Sequence, residues 1–248
     1  MWLGTSWKMT KTLAEARAWV GEVTAVPVPD GVDAFVLPSH TALASVRDAV
    51  PPGHRLGVGA QDAHWSADPE WTGEVSMAQV RDAGAVLVEV GHSERRRGLA
   101  EDDAVVTRKA RAVLDGGLVL LLCVGEPPAV RERGEHLDHV LDQVRSALSG
   151  LEPDGARRVL VAYEPVWSIG VGGRPADPAD VAPVVDALRA ELTSLAPDAG
   201  VPVLYGGSVD PANAEALLDT GVDGLFVGRA AWAPGGFLAL LDLVARRV

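Results

Sequence analysis

Short apolar runs recur along the chain at intervals that leave room for one helix between each pair. They read as strands near Trp2–Trp7, Ala34–Pro38, Leu56–Gln61, Val86–Gly91, Val119–Val124, Val159–Tyr163, Pro202–Tyr205 and Gly224–Val227. Many are apolar on both faces, as a parallel strand covered on both sides requires. Segments of helical pattern lie between them, among them Thr12–Glu22, Asp102–Leu114, Leu137–Leu148, Pro178–Leu195 and Asn213–Asp219. Eight strand–helix units in 248 residues predict an α/β fold, a (β/α)8 barrel forming one domain over residues 1–248. The alternative is an open doubly wound sheet. Against it, no Gly-x-Gly-x-x-Gly follows the first strand, and no Pro/Gly/Ser linker divides the chain.

Charge narrows the partners. A formal net charge of -12 argues against non-specific nucleic-acid binding, which needs a basic surface, but leaves room for a locally positive site. The single cysteine, Cys123, allows no intramolecular disulfide and fits a reducing cytoplasm. Met1–Lys11 lacks the apolar core of a signal peptide, and Leu118–Val124 is too short to span a membrane, so no membrane role is expected. No His/Cys cluster has metal-ligand spacing, and neither a metal nor a cofactor is expected.

Such a barrel does its chemistry where strands end and βα loops begin. Lys8 follows the first strand, His92 the fourth, Glu164 the sixth, Gly206-Gly207-Ser208 the seventh and Gly228 the eighth. In Val161–Gly172 an apolar strand ends in Glu164, then come stiff or bulky Pro165, Val166 and Trp167, then permissive Gly170, Gly172 and Gly173. That describes a base with its own lid, suited to keeping water from a reactive intermediate; taken alone, it also describes a surface loop with a solvated Glu. His92 opens a short helical turn whose N–H groups disfavour an imidazolium. It is therefore either a neutral hydrogen-bond donor to a carbonyl or simply a cap. Lys8 is either a surface lysine or an ammonium that attracts a phosphate dianion and stabilises an enediolate. Gly207, Ser208 and Gly228 allow backbone N–H groups to approach an anion, with Gly170 closing over it. Gln61–Glu74, carrying His64, Trp65 and Trp71, is long enough to suggest an interface.

Taken together, Ser6-Trp7-Lys8-Met9, Thr72-Gly73-Glu74, Gly91–Arg96, Cys123–Glu126, Ala162–Gly170 and Tyr205–Val209 resemble the triosephosphate isomerase family over nearly the whole chain. The resemblance implies an isomerase of small sugar phosphates working through an enediolate. Glu164 would be the ionised base and His92 the neutral electrophile, a division of labour for which that family is the type case. It further implies that Glu94 lies near the lysine and substrate, either relaying protons or pairing with a cation, and that Cys123 is a packing residue. The 61–74 loop would insert its Thr72-Gly73 tip into a second copy, giving a homodimer with Trp71 and Thr72 in the interface.

Three departures from the commoner family pattern bear on substrate. Ser6 stands where Asn usually precedes Trp-Lys-Met. Val227-Gly228-Arg229-Ala230-Ala231-Trp232 replaces Val-Gly-Gly-Ala-Ser, and Ser168, Val171 and Gly173-Arg174-Pro175 alter the lid. The opening and closing motifs look like the branch that isomerises four-carbon sugar phosphates, the L-erythrulose-1-phosphate isomerases. The expectation is a phosphorylated four-carbon sugar as substrate, with Ser6 making room for it and the Arg229 backbone N–H facing its phosphate. The alternatives are a triose-phosphate isomerase and a silent phosphate-binding barrel.

Overall fold

The computed structural model describes residues 1–170 and 172–248. Eight parallel strands close into a barrel in sequence order, β1 pairing with β8. They are β1 (Trp2–Ser6), β2 (Asp33–Leu37), β3 (Leu56–Ala60), β4 (Leu87–Val90), β5 (Val119–Val124), β6 (Val159–Tyr163), β7 (Val203–Tyr205) and β8 (Gly224–Val227). The helices are α1 (Leu13–Val23), α2 (Leu43–Ala49), α3 (Met77–Asp82), α4 (Ser93–Leu99), α5 (Asp103–Asp115), α6 (Pro128–Glu132), α7 (His136–Ala147), α8 (Pro153–Ala156), α9 (Pro178–Leu195), α10 (Ala214–Leu218) and α11 (Pro234–Ala245).

The expected strands are all present, with ends that move for local reasons. The fourth is shorter than expected: Gly91 turns out of the strand with φ 84°, and the Val86 side chain is half exposed. Helices expected to begin at Thr12 and Asp102 begin one residue later, because both residues act as caps. Thr12 Oγ1 accepts from Glu15 N while Glu15 answers Thr12 N, and Asp102 Oδ1 accepts from Val105 N.

Two apolar layers result from strand alternation. One fills the barrel, with Phe35, Leu37, Leu87, Leu121, Cys123, Leu160, Ala162, Leu204 and Phe226. The other lies between strands and helices, where Trp7, Trp19 and Phe237 make edge-to-face pairs with centroids 5.0 and 5.1 Å apart. The inner layer runs to the C-terminal ends of the strands and ends there, Leu37 being the last residue of β2. Polar side chains take over there, and a cleft opens.

No helix among the described residues is long and apolar enough to cross a membrane.

Candidate active site

A cavity of about 250 Å³ opens at that end of the barrel. Ser6, Lys8, His92, Glu94, Glu164, Gly170, Gly207, Ser208, Gly228 and Arg229 all line it. The structure thus brings together every residue singled out for the site. Val171, one of the lid departures, lies outside the described residues.

Glu164 and His92 face each other across the floor, with Glu164 Oε2 3.6 Å from His92 Nε2. Both side chains are buried, and Glu164 Oε2 has no hydrogen-bond partner among the described residues. Burial pushes the Glu164 carboxyl up to about 8; the nearby Glu89 carboxylate adds to this, and the Lys8 charge opposes it. A buried, unpartnered carboxylate is a strong proton acceptor. Gly206 makes room for it, because a Cβ there would stand 2.8 Å from Glu164 Oε1.

His92 caps α4, its Nδ1 accepting from Glu94 N at 3.1 Å. In a neutral ring the proton must then sit on Nε2, the nitrogen that faces the cleft. Burial lowers the imidazole to about 4, and the Lys8 charge pushes the same way. The expected neutral His is therefore obtained chiefly by burial, with the helical turn fixing the tautomer.

Lys8 has φ 52°, a left-handed conformation that a lysine seldom adopts. Gln61 Nε2 holds the strained backbone by donating to Lys8 O at 3.0 Å and to Leu37 O at 2.9 Å. Lys8 Nζ lies 2.6 Å from Glu94 Oε1. Burial would raise the Glu94 carboxyl, but its hydrogen bond and charge pairing with Lys8 outweigh this and hold it low. Glu94 Oε2 is 3.9 Å from His92 Nδ1, so Glu94 sits beside both the Lys8 ammonium and the neutral His92 ring without entering the floor.

The far end of the cleft is glycine-lined. A Cβ on Gly207 would stand 2.1 Å from Tyr205 Oη, so the chain can pass only as glycine. No heavy atom lies within 4 Å of where a Cβ on Gly228 would stand. Backbone N–H groups in this open, small-residue end suit a phosphate.

The lid residues are held from several sides. Trp167 Nε1 donates to the buried Glu126 Oε1 at 2.7 Å, and Tyr163 Oη and Arg131 reach the same carboxylate. Ser168 Oγ lies 3.2 Å from Tyr205 Oη and accepts from Ser208 N at 3.1 Å. Arg229 Nη2 donates to Gly170 O at 2.9 Å. Two of the departures, Ser168 and Arg229, therefore tie the lid to the loops after β7 and β8. A third, Trp232, donates from Nε1 to Ser6 O at 2.8 Å, joining the two ends of the barrel seam. Arg229→Ala would free the Gly170 carbonyl, and we expect KM to rise roughly 3–10-fold, the worth of one exposed hydrogen bond of ordinary strength. Steady-state kinetics read this directly; an unchanged KM would remove the clasp from the account.

Sequence reasoning missed three groups. Glu126 anchors the lid. Glu89 is buried beneath the cleft and accepts from Ser6 Oγ at 3.0 Å. Asp62, Arg95, Glu101 and Lys109 form a network in which Lys109 Nζ lies 2.6 Å from both carboxylates, and Arg95 Nη2 lies 2.8 and 2.7 Å from them. Two cations offset two carboxylates there, locking the base of the 61–74 loop to α4 and α5 and so fixing the turn that carries His92. Only Glu89 had a local signal, a charge inside an apolar strand. Burial also pushes the Cys123 thiol well up, aided by Glu164 and Glu89, which keeps it neutral, as a packing residue should be.

An eight-stranded parallel barrel whose cleft sets a buried carboxylate against an imidazole is an arrangement that can move a proton. The family described as Triosephosphate isomerase matches residues 1–244, and the chain belongs to that family. It is 46% identical to the L-erythrulose-1-phosphate isomerase of Mycolicibacterium smegmatis, over 99% of this chain and 93% of that protein. It is 45% identical to the protein of that name from Rhizobium meliloti, over 100% and 98% of the two chains. The protein of that name from Brucella abortus is 43% identical, over 100% and 97%.

Proposed function

We propose that this protein isomerises L-erythrulose 1-phosphate to D-erythrulose 4-phosphate. The observation that carries the reading is the pair Glu164 and His92, 3.6 Å apart on the floor of a cleft with a glycine-lined far end. The names of the relatives at 43–46% identity support the four-carbon substrate over the three-carbon one. In this reading Gly207, Ser208, Gly228 and the Arg229 backbone hold the phosphate, and Gly170 closes over it. Glu164 takes the proton from the carbon beside the ketone. The electrons left behind form the carbon–carbon double bond of a cis-enediolate, and charge moves onto the carbonyl oxygen. His92 Nε2–H and the Lys8 ammonium stabilise that oxygen. Glu164 then returns a proton to the neighbouring carbon. The net change moves one hydrogen between the two inner carbons and one between their oxygens. Glu94 holds the Lys8 ammonium in place between turnovers.

The experiment is a comparison of kcat/KM on L-erythrulose 1-phosphate and dihydroxyacetone phosphate. The four-carbon substrate should be preferred; turnover of the triose phosphate alone would overturn the reading in favour of a triose-phosphate isomerase. Because the substrate is a phosphorylated metabolite and the chain carries one thiol, the cytoplasm is the compartment this reading expects.

The reading includes a homodimer. Trp71 is 48% exposed and packs at a tilt against buried His64, with centroids 4.4 Å apart; Thr72 and Gly73 are exposed beside it. Exposed Met9 and Leu99 flank a second cavity that shares Lys8 and Glu94 with the main cleft. In this reading the projecting aromatic loop of one copy caps the apolar outer rim of that cavity in the other, above the buried floor that Ser6 and Glu89 form, and the two copies exchange the same contact. Trp71→Ala is expected to weaken association by about 2 kcal/mol, roughly 30-fold in Kd. Sedimentation at micromolar concentration checks it, and a monomeric parent would remove the claim.

A further inference from the structure

Glu89 is buried, and the mechanism above does not use it. Its neighbours on β4 are Leu87, Val88 and Val90. Leu87 belongs to the layer inside the barrel, as do Leu121 and Cys123 of β5, so strand alternation turns Glu89 inward too. Its Oε2 accepts the Ser6 hydroxyl at 3.0 Å. Among the described residues, the only partner of its Oε1 is the Cys123 thiol, a weak donor, at 3.8 Å. A carboxylate oxygen buried this deeply ordinarily has a strong donor. The single Ser6 hydroxyl proton is already committed to Glu89, so the remaining capacity of Ser6 Oγ is acceptor capacity as well. The pair therefore lacks a donor, and a hydroxyl group would supply it.

The position of the pair matches the part of the substrate not yet accommodated. Ser6 lines the main cleft beside Glu164 and His92. It also lines the adjoining cavity of about 220 Å³, where Glu89 appears with Lys8, Gln61, His92 and Glu94, and where none of the phosphate-end glycines reaches. With the phosphate at the glycine end and the reacting carbon between Glu164 and His92, the rest of a longer sugar must lie beyond that pair. A four-carbon ketose phosphate differs from the three-carbon one by a hydroxymethyl group on the carbon that loses its proton.

We propose that Ser6 and Glu89 form the seat of that hydroxymethyl group, its hydroxyl proton going to the Glu89 carboxylate that Ser6 holds in place, and that Glu89 is a specificity-determining residue. The inference rests on the reading that the substrate is a four-carbon ketose phosphate. A three-carbon substrate leaves that buried acceptor unmatched, and a site built around a substrate hydroxyl discriminates far more strongly than one that merely fits its size. Burial pushes the Glu89 carboxyl up to about 7, consistent with an acceptor held in a donor-poor place.

The test measures kcat/KM on L-erythrulose 1-phosphate and on dihydroxyacetone phosphate for the parent, Glu89→Gln and Ser6→Ala, across pH. Glu89→Gln keeps the shape and replaces one acceptor with a donor. The ratio of tetrulose to triose kcat/KM is expected to fall about 10²-fold in Glu89→Gln and in the same direction in Ser6→Ala. Equal losses on both substrates, with the acid limb of the pH profile displaced, would overturn the proposal and leave Glu89 acting only through Glu164. Should Glu89→Gln fail to fold, Ser6→Ala decides alone, and an unchanged ratio there overturns the proposal. A parent that turns over only the triose phosphate would sink the substrate reading itself, whereas a tetrulose-active parent with unchanged ratios in the variants sinks only the role of Ser6 and Glu89.

Discussion

Glu164→Gln should fold and bind, and its kcat should fall roughly 10²–10⁴-fold, the usual contribution of a positioned general base. The amide keeps the shape and loses the proton affinity. Glu164→Asp keeps the charge but withdraws it by one methylene, and about 10²-fold is expected to go with that displacement. The pH dependence follows from the groups that surround the carboxyl. Glu89 faces it from β4, Cys123 from β5, His92 and Glu94 from the start of α4, and Lys8 from the end of β1. Burial dominates and Glu89 adds to it, raising Glu164 to about 8, so kcat/KM should climb as pH rises toward that value. The same shift carries a stability consequence of opposite sign. A carboxyl whose folded value exceeds its ordinary 4.5 favours folding below that pH, and this contribution is lost as pH rises through about 8. Glu164→Gln should therefore match the parent in stability near pH 4 and exceed it by about 1–3 kcal/mol at pH 9, since it no longer buries an unpartnered charge. Chemical denaturation at the two pH values reads the difference; a variant less stable than the parent at pH 9 would contradict the electrostatic picture of the site.

His92→Gln is the second large effect, with an expected loss in kcat of about 10²–10³-fold, the cost of removing one donor to a developing oxyanion. The protonation of His92 matters as much as its position. With Nδ1 accepting from Glu94 N, the proton on Nε2 is available to the substrate oxygen only while the ring stays neutral. Burial and the Lys8 charge hold the imidazole near 4. Its ring nitrogens should then keep the neutral, Nε2-protonated NMR pattern from about pH 5.5 to 9, with no imidazolium forming while the nearby Glu164 titrates. A His92 that titrates near the ordinary 6.5 would mean that an imidazolium, not an imidazole, faces the substrate.

Much of this was legible beforehand, and the limits have physical reasons. Parallel strands buried on both faces leave unbroken apolar runs, and capped helices leave Thr12-x-x-Glu15 and Asp102 at their starts, so the barrel can be read off the sequence. Lys8, His92 and Glu164 stand at strand ends, where side-chain chemistry and chain position coincide. Other features depend on pairs that no local pattern joins. Lys8 is not a residue type that advertises a positive φ, and its conformation is held by Gln61. Ser168 and Arg229 were visible as departures, but their partners Tyr205, Ser208 and Gly170 appear only once the loops after β6, β7 and β8 converge. The Asp62, Arg95, Glu101 and Lys109 network draws on a loop and two helices. Glu89 is the instructive omission. A carboxylate between Val88 and Val90 violates the two-sided apolar pattern that identified the strand, and that violation was itself a signal of function.

The central claim is that Glu164 moves a proton between the inner carbons of a four-carbon ketose phosphate. The most direct measurement is proton NMR of the purified protein with L-erythrulose 1-phosphate in heavy water. The account predicts D-erythrulose 4-phosphate carrying deuterium on the carbon next to the phosphorylated one, and loss of both turnover and exchange in Glu164→Gln. Exchange and turnover persisting at the parent rate in Glu164→Gln, or no change in the tetrulose phosphate under conditions where the parent isomerises dihydroxyacetone phosphate, would contradict it.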